Sequence, residues 1–336
     1  MKMLRKILFP IVPIYYVVTW LRNRFYDLGI KTSTSFDIPI LCVGNLSVGG
    51  TGKTPMIEYL ITLLKEDYNL ATLSRGYKRK TEGFQLANPI TTVEDIGDEP
   101  YQFHTKFGDN IQVAVDAQRT NGISKLLQLD AAPEVILLDD ALQHRKVKAG
   151  FNIMLTTYNA PFFKDFVLPT GNLREPRIGY KRADIIVVTK CPNDITNAEK
   201  STFIKRIKPF AHQHVFFSTI AYANAVISVN NERQDISSFD DFTLVTGIAN
   251  ATPLVDFLNL KNLKFKHLEF KDHHEFVSQD IFKLNSVGKI LTTEKDFMRL
   301  KHYNTLKSQL FYLPITVNIL EHKTFNDLVK TFVKAF

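Results

Sequence analysis

The sequence predicts an α/β protein with three parts: a doubly wound, mainly parallel sheet, a second and smaller α/β lobe, and an N-terminal helix at a membrane interface. Two observations predict the main sheet. From residue 36 onward, short apolar runs alternate with helical stretches, which is typical of strands joined by helical crossovers. A glycine-rich segment, Ser47–Pro55 (SVGGTGKTP), joins the first apolar run to the first helical stretch. The 336 residues, 45% of them apolar and 23% charged, are enough for two hydrophobic cores.

The apolar runs form two series along the chain. A polar stretch with turn composition, residues 230–235, follows the first series, and the second series begins at residue 242. We place a lobe boundary near residue 220, which gives an N-terminal segment of residues 1–30, a core of residues 31–220 and a C-terminal lobe of residues 221–336 that closes a cleft. The predicted strands are 38–43, 70–73, 111–115, 135–138, 152–155, 185–189, 215–221, 225–229, 242–246, 265–270 and 290–293, and helices are predicted to begin near residues 55, 253 and 325.

The N-terminal segment combines basic residues with an apolar run. The run, residues 7–21, has about 15 residues, which is fewer than the roughly 20 that span a bilayer. Aromatic residues within it and basic residues beside it favour a helix lying in the membrane interface, and a helix buried in the core is the alternative. The basic residues that flank the run are Lys2, Arg5, Lys6, Arg22 and Arg24.

Charge and cysteine content limit the class of protein. A net charge of +8 suggests anionic partners: nucleic acid, phosphorylated substrates or a membrane surface. No recognisable module interleaves aromatic and basic residues, so we expect no nucleic-acid partner. The two cysteines, Cys42 and Cys191, have no metal-ligating neighbours in the sequence, which fits a reducing, cytoplasmic setting.

The segment Ser47–Pro55 matches a phosphate-binding P-loop except at its first position. In a P-loop, backbone N–H groups and a helix N-terminus hold the phosphates, a lysine reaches the β and γ groups, and a hydroxyl binds Mg²⁺. Ser47 stands where glycine is usual, and a negative φ at that position would accommodate it. The alternative is a glycine-rich turn with an accidental Gly-Lys-Thr sequence. The residues predicted to bind the nucleotide cofactor ATP are Ser47, Val48, Gly49, Gly50, Thr51, Gly52, Lys53 and Thr54.

Acidic residues follow the apolar run 135–138. Asp139 and Asp140 are placed to support a Mg²⁺ ion together with Thr54, whereas in isolation the pair would be interpreted as a capping turn. In a turn, Asp98 has the chemistry of a base for an acceptor hydroxyl, although a solvated loop is the simpler interpretation. The run Asp272–Glu275 has three possible roles: binding a metal, polarising a carboxylate or capping a helix.

Further polar residues stand at the ends of predicted strands. Arg75, Arg119, Arg174 and Glu175 lie in such positions, and arginines there suit phosphate recognition. Any one of them alone would more simply be a surface charge without a function. Together they call for a common explanation.

In this order, the motifs SVGGTGKTP, LSRGY, GDEP, LLDDALQH, LPTGNLREP, TGIA, DHH and LTTEKD resemble those of the tetraacyldisaccharide 4'-kinases, the lipid A 4'-kinases of Gram-negative bacteria. The resemblance covers residues 47 to about 296. The family commonly has Ser or Thr at the position of Ser47. The chain departs from the family at Ala141, where glycine is usual, and at Asn172, where proline is common.

The resemblance implies a kinase that transfers the γ-phosphoryl group of ATP to the 4'-hydroxyl of tetraacyldisaccharide 1-phosphate, giving lipid IVA. It implies that Lys53 acts on the phosphates, that Asp98 is the acceptor-side base, and that His273, with His274 as the alternative, is its partner across the cleft. It also implies a monomeric, peripheral protein on the cytoplasmic face of the inner membrane, where the lipid substrate resides. The residues implied to surround the sugar and its 1-phosphate are Arg75, Tyr77, Arg119, Gln143, His144 and Glu175.

The competing interpretation is a P-loop GTPase or ATPase acting as a metallochaperone or switch. A GTPase of this kind should carry a guanine-reading Asn/Thr-Lys-x-Asp sequence after a strand. Residues 189–192, Thr-Lys-Cys-Pro, have proline in place of the aspartate. A related class of ATPases has lysine at the position of Val48. Both features disfavour this alternative.

Overall fold

The computed structural model describes residues 7–272 and 274–336. His273 and the basic residues Lys2, Arg5 and Lys6 lie outside the described residues. Within the described residues the chain forms a nine-stranded sheet and a six-stranded sheet, with helices on both faces of the parallel strands. We call the nine-stranded sheet with its helices the first lobe and the six-stranded sheet with its helices the second lobe. The predicted α/β class is confirmed.

Ten α-helices are present in the described part of the chain, together with several short 3₁₀ turns. We number them α1 (Val12–Asp27), α2 (Lys53–Leu64), α3 (Val93–Ile96), α4 (Asp98–Phe107), α5 (Arg119–Leu126), α6 (Asn197–Ile207), α7 (Thr252–Leu260), α8 (Ser278–Leu284), α9 (Glu294–Leu300) and α10 (His322–Lys334).

The strands follow the predicted apolar runs closely. Four of them, β3, β10, β14 and β15, had no predicted counterpart, and β10 lies within the stretch 230–235 that was predicted as a turn. They are β1 (Ile40–Asn45), β2 (Leu70–Ser74), β3 (Gln85–Leu86), β4 (Gln112–Val115), β5 (Val135–Asp139), β6 (Phe151–Thr157), β7 (Ile185–Thr189), β8 (His214–Tyr222), β9 (Ala225–Ser228), β10 (Arg233–Asp235), β11 (Phe242–Thr246), β12 (Phe265–Glu269), β13 (Ile290–Thr293), β14 (Leu310–Leu313) and β15 (Ile315–Ile319). The sheet orders are β15-β8-β7-β6-β1-β5-β2-β4-β3 and β10-β9-β14-β13-β11-β12.

The centre of the first sheet is parallel and buried on both faces. Strands β1, β2 and β5 are buried along their whole length, which is why they appear in the sequence as nearly continuous apolar runs. Strand β1 pairs with β5 in the register Val43↔Asp139. Because carboxyl ends of parallel strands meet at one edge, this register places the loop after β1 beside Asp139.

Helix α2 fastens the loop after β1 to the core. Its side chains Met56, Ile57, Leu60, Ile61 and Leu64 are fully buried against one face of the first sheet. Burying a side chain of this size contributes about 1.5–3 kcal/mol. The helix therefore has a fixed position, and so does its N-terminus at Lys53.

The end of the chain returns to the first sheet. Strand β15 pairs antiparallel with β8 in the register Ile319↔Ser218, and α10 packs Phe325, Val329 and Val333 into the core beside α2. The alternation pattern did not predict this return. The proposed division of the chain at residue 220 stays a prediction.

A buried ionic cluster joins the two sheets. The Lys106 ammonium, on α4, lies 2.7 Å from the Glu58 carboxylate on α2 and 3.0 Å from that of Glu294 on α9. Gln102 donates a further hydrogen bond to Glu58. Burial, reinforced by the charge of Glu58, raises the pKa of Glu294 to about 7. The P-loop helix is thus tied to the second lobe through one lysine.

Helix α1 lies on the surface with its polar side inward. The Arg22 guanidinium donates to the Gln143 carbonyl (2.7 Å), the Asn23 amide donates to Glu175, and the Tyr15 hydroxyl donates to the Arg174 carbonyl. The outward side carries exposed apolar side chains, which are Ile14, Val17, Val18, Leu21, Phe25 and Leu28. This is the reverse of the pattern in a helix that packs on a hydrophobic core.

Among residues 7–272 and 274–336, there is no helix whose length and apolar content would let it cross a bilayer.

Candidate active site

The loop between β1 and α2 has the backbone that phosphate binding requires. Gly49 and Gly52 have φ values of 112° and 89°, a region that glycine adopts without strain. A Cβ atom at either position would meet no heavy atom within 4 Å, so conformation alone requires glycine there. Gly52 is the N-cap of α2, whose free N–H groups and dipole favour an anion at that end.

Ser47 is accommodated because the first part of the loop is extended. Ser47 forms an antiparallel bridge with Leu173, and the Val48 N–H donates to the Asn172 carbonyl (2.7 Å). Ser47 has no positive φ, so glycine is not needed. Asn172 holds the loop through its backbone carbonyl, a group that proline would also supply.

Asp139 is a buried carboxylate, and one of its two oxygens has no hydrogen-bond partner among the described residues. Its residue is 8% exposed; the Ser74 hydroxyl donates to Oδ2 (3.3 Å), while Oδ1 is buried and has no hydrogen-bond partner among the described residues. Burial raises the pKa of Asp139 to about 7, and the nearby Lys53 ammonium opposes the rise. An orphaned carboxylate oxygen at this place is suited to a cation.

Asp140 lies between two cations. The Arg174 guanidinium contacts both of its oxygens at 2.9 Å, and the Lys53 ammonium lies 3.7 Å away. Asp140 also has a φ of 50°, a conformation that costs a non-glycine residue free energy. The P-loop lysine and the acidic pair therefore form one electrostatic unit.

A basic group lies behind the acidic pair. Arg119 is 3% exposed and donates to the carbonyls of Asp116 and Asp139, and burial lowers its pKa to about 10. Burial and the charges of Arg119 and Arg75 lower the pKa of His144 to about 4. His144 is therefore a neutral imidazole near pH 7, next to two guanidinium groups.

Glu175 lies beneath this surface and does not line the cleft. It is 2% exposed and accepts hydrogen bonds from Asn23, Gln143 (2.9 Å) and Arg182 (2.6 Å). These contacts join α1 to the first lobe. In this structure Glu175 is placed to position Gln143, which does line the cleft.

Asp98 begins α4, where it meets the second lobe. The Arg299 guanidinium of α9 donates to Asp98 from Nε (3.1 Å) and Nη2, and it also contacts Asp296 at 3.3 Å. His273 lies outside the described residues. The neighbouring His274 ring is 2.9 Å from the Asp280 carboxylate and stacks on Phe270, so packing in the second lobe holds it.

One cleft of about 1710 Å³ lies between the lobes and collects most of the predicted residues. Asp98, Ser47 and Glu175 are not among the residues that line it. The predicted residues that line the cleft are Val48, Gly49, Gly50, Thr51, Gly52, Lys53, Thr54, Arg75, Tyr77, Arg119, Asp139, Asp140, Gln143 and His144.

Sequence reasoning missed part of the cleft wall. Arg22 lines it from α1, and residues 190–193 and 219–222 line it from the ends of β7 and β8. Residues 248–250 line it from the loop after β11. Position after a parallel strand is a signal that could have indicated the segments after β7 and β11. No sequence signal distinguishes Arg22 from the other basic residues near it.

The chain is similar to known proteins over nearly its whole length. The family model described as tetraacyldisaccharide-1-P 4'-kinase matches residues 4–334. The tetraacyldisaccharide 4'-kinase of Flavobacterium johnsoniae is 48% identical over 99% of this chain and 98% of its own length. That of Bacteroides thetaiotaomicron is 42% identical over 98% of this chain and 94% of its own. The crystal structure of LpxK from Aquifex aeolicus in complex with ATP is 29% identical, with a TM-score of 0.79 over 98% of this chain and 99% of that chain.

Replacing Glu175 tests whether this carboxylate positions α1 or binds the acceptor substrate. Glu175→Gln leaves Arg182 without its buried counter-charge, so we expect the free energy of unfolding in urea to fall by about 2–4 kcal/mol. Trypsin should then cleave faster after Arg22 and Arg24. The control Glu66→Gln, at an exposed residue, should change neither the free energy of unfolding nor the rate of trypsin cleavage. Unaltered stability combined with a raised KM for the acceptor would instead support direct substrate binding.

Proposed function

This chain belongs to the tetraacyldisaccharide-1-P 4'-kinase family, and from that premise we propose that it transfers the γ-phosphoryl group of ATP to the 4'-hydroxyl of tetraacyldisaccharide 1-phosphate. The product is lipid IVA, an intermediate of lipid A biosynthesis. The observation that carries the proposal is the convergence of a P-loop, an acidic pair and a basic, polar wall on one cleft between two lobes.

The P-loop holds the phosphates of ATP. The free N–H groups at the start of α2 bind phosphate oxygens, and the Lys53 ammonium reaches the transferred group. In the structure Lys53 faces Asp140 at 3.7 Å, a distance too long for a strong hydrogen bond. Lys53 can therefore move to the nucleotide without losing a close contact.

Thr54, Asp139 and Asp140 are the residues that would hold Mg²⁺. The unsatisfied Oδ1 of Asp139 supports this assignment, and a small number of protein ligands is usual for Mg²⁺ bound with substrate phosphates. The ion would neutralise charge that develops on the phosphoryl oxygens. Lys53 and the arginines would help to stabilise the same charge on the phosphoryl oxygens.

Asp98 is the group that takes the proton of the 4'-hydroxyl. Its contacts with Arg299 fix the carboxylate at the point where the first lobe meets the second. The implied partner, His273, lies outside the described residues; Asp272, which precedes it in the sequence, lines the cleft. A base of this kind contributes a factor of about 10²–10⁴, less than positioning and charge stabilisation together.

The acceptor sugar and its 1-phosphate occupy the basic part of the cleft. Arg75, Arg119 and Gln143 line this part, as do Tyr77 and the neutral imidazole of His144. Guanidinium groups suit a phosphomonoester because they donate parallel hydrogen bonds to its oxygens. Glu175 supports the same wall from behind through its hydrogen bond with Gln143.

Helix α1 brings the protein to the membrane that contains the lipid. Its inward polar residues are used by the contacts with the first lobe, so its exposed apolar side is available to acyl chains. The binding is peripheral, at the cytoplasmic face of the inner membrane, by a monomer that has no nucleic-acid partner.

Transfer of labelled γ-phosphate to tetraacyldisaccharide 1-phosphate in detergent micelles tests the proposed reaction. We expect lipid-dependent labelling by the wild type. Asp98→Asn should lower turnover by about 10²–10⁴-fold, and Lys53→Ala should lower it at least as much, because Lys53 stabilises transferred charge. Lys125→Ala, on an exposed face of α5, is the control. Hydrolysis of nucleotide with no labelled lipid would reject the acceptor and favour the GTPase or ATPase alternative.

The raised pKa of Asp139 predicts a pH dependence for Mg²⁺ binding. Below about pH 7 the carboxyl is protonated in the free protein, so each lower pH unit should weaken Mg²⁺ binding to the ATP complex by up to about tenfold. The affinity for Mg²⁺ is measured between pH 6 and 8 in the ATP complexes of the wild type and of Asp139→Asn. Protonation of ATP affects both proteins equally, so it cancels in the comparison. An identical pH dependence in the two proteins would contradict the assignment; Asp109→Asn is the matched control.

Charged residues on the outward side of α1 should release the protein from membranes. We expect Ile14→Glu with Val18→Glu, which are 65% and 60% exposed, to lower cosedimentation with anionic phospholipid vesicles by at least about tenfold. Ile204→Glu, on the surface of α6, should bind like wild type. Unchanged cosedimentation of the double variant with normal folding would contradict the membrane role of α1.

A further inference from the structure

The turn that follows β7 has no role in the mechanism above, yet it contacts the P-loop directly. The Thr189 hydroxyl donates to the Thr51 carbonyl (2.8 Å), and the Lys190 ammonium donates to the Gly50 carbonyl (2.7 Å). Two consecutive P-loop carbonyls are thus held by two consecutive residues of the turn. A carbonyl engaged in this way cannot face bound phosphates, which leaves N–H groups of the loop available for them.

The backbone of the turn is held in a costly conformation. Lys190 has a φ of 56°, which a non-glycine residue rarely adopts. The neighbouring strands impose it, because the Tyr158 N–H donates to the Thr189 carbonyl (2.9 Å) and the Cys191 N–H donates to the Ser218 carbonyl (3.0 Å). Conformations of this kind persist at functional sites, where the surrounding structure over-determines them.

The turn continues into the wall of the cleft. Pro192 and Asn193 line it next to the P-loop, and apolar side chains of β8 and of the second lobe line it nearby. In the sheet, β7 lies on one side of β1, whereas β5 and β2, which the acceptor residues Gln143, His144 and Arg75 follow, lie on the other. The region beside the turn is therefore the part of the cleft that suits a flat, mostly apolar group. The apolar side chains concerned are Ile220, Pro253, Leu254 and Phe257.

We propose that the turn at residues 189–193 recognises the nucleobase of the phosphoryl donor, with Lys190 as a positioning residue for the P-loop and Pro192 as a determinant of adenine over guanine. The proposal rests on the proposed function, which supplies ATP as the donor. Residues 189–192, Thr-Lys-Cys-Pro, do not match a guanine-reading sequence, and the proposal gives them a role in binding adenine instead.

The chemistry of the two bases explains the proline. Guanine presents two N–H donors on one edge, and a carboxylate at position 192 would accept both. Proline offers no side-chain acceptor and no N–H, so it gives guanine no such contact. Adenine presents an acceptor beside a donor, a pair that matches the side-chain amide of Asn193. The turn therefore has the lysine that holds the loop and has proline at the position where a carboxylate would select GTP.

Equilibrium binding of ATP, GTP and inorganic tripolyphosphate to the full chain separates the two roles. Lys190→Met should weaken the binding of all three by about 10–100-fold, because the phosphate-binding loop loses a charged hydrogen bond, and Lys190→Arg should restore most of it. Pro192→Asp should lower the ratio of ATP to GTP affinity at least about tenfold without changing tripolyphosphate binding. Pro192→Ala should preserve the ratio, and Lys205→Met on α6 is the lysine control.

Kinetics provide the second test. A positioning role predicts that Lys190→Met raises the KM for ATP and leaves the KM for the lipid unchanged. Binding of all three ligands within about twofold of wild type would overturn the role of Lys190. An equal ATP to GTP ratio in Pro192→Asp and Pro192→Ala would overturn the role of Pro192. If wild type binds ATP but labels no lipid, the proposed function fails, while the binding ratios still decide this inference.

Discussion

The parallel pairing of β1 with β5 is the constraint on which the rest of the site depends. The register Val43↔Asp139 places the P-loop and the acidic pair at the same edge of the sheet. The pairing of β1 with β6 and of β6 with β7 then brings the end of β7 to the other side of the loop. Each strand is apolar and buried for reasons of stability alone. The polar residues begin where the strands end, so the edge of one hydrophobic sheet organises both the phosphate region and the turn that holds it.

Helix α1 packs on the first lobe mainly through polar side chains. A helix normally packs its apolar side on the protein, but here Arg22, Asn23 and Tyr15 make the contacts and the apolar side faces outward. The buried hydrogen bonds around Glu175 hold the helix together with the hydrophobic packing of only Val12 and Tyr15 among its described residues. The arrangement places Arg22 on the wall of the cleft, so the segment proposed to meet the membrane also forms part of the site.

The sequence predicted those parts of the fold whose causes are local. Buried parallel strands are apolar runs, and the glycines of the P-loop are required by backbone conformation, so both were visible without a structure. Helix α10 was predicted from its pattern, but strand β15 and the packing of α10 beside α2 were missed, because the partners β8 and α2 lie far away in the sequence. Asp98 was identified as a candidate from chemistry, but its contact with Arg299 joins residues about 200 positions apart. The buried position of Glu175 could not be inferred because it depends on three separate segments.

The site contains charges and conformations that the free protein does not fully compensate. Asp139 is buried with an oxygen that has no partner among the described residues, Arg119 is in the same situation at Nε, and Asp140 and Lys190 both have positive φ. Each of these costs free energy, and the buried strands and α2 supply the stability that offsets it. A cation and phosphate groups would give those atoms the partners they lack. The site then needs no reorganisation when charge develops during the reaction. Preorganised groups of this kind stabilise the transition state of phosphoryl transfer.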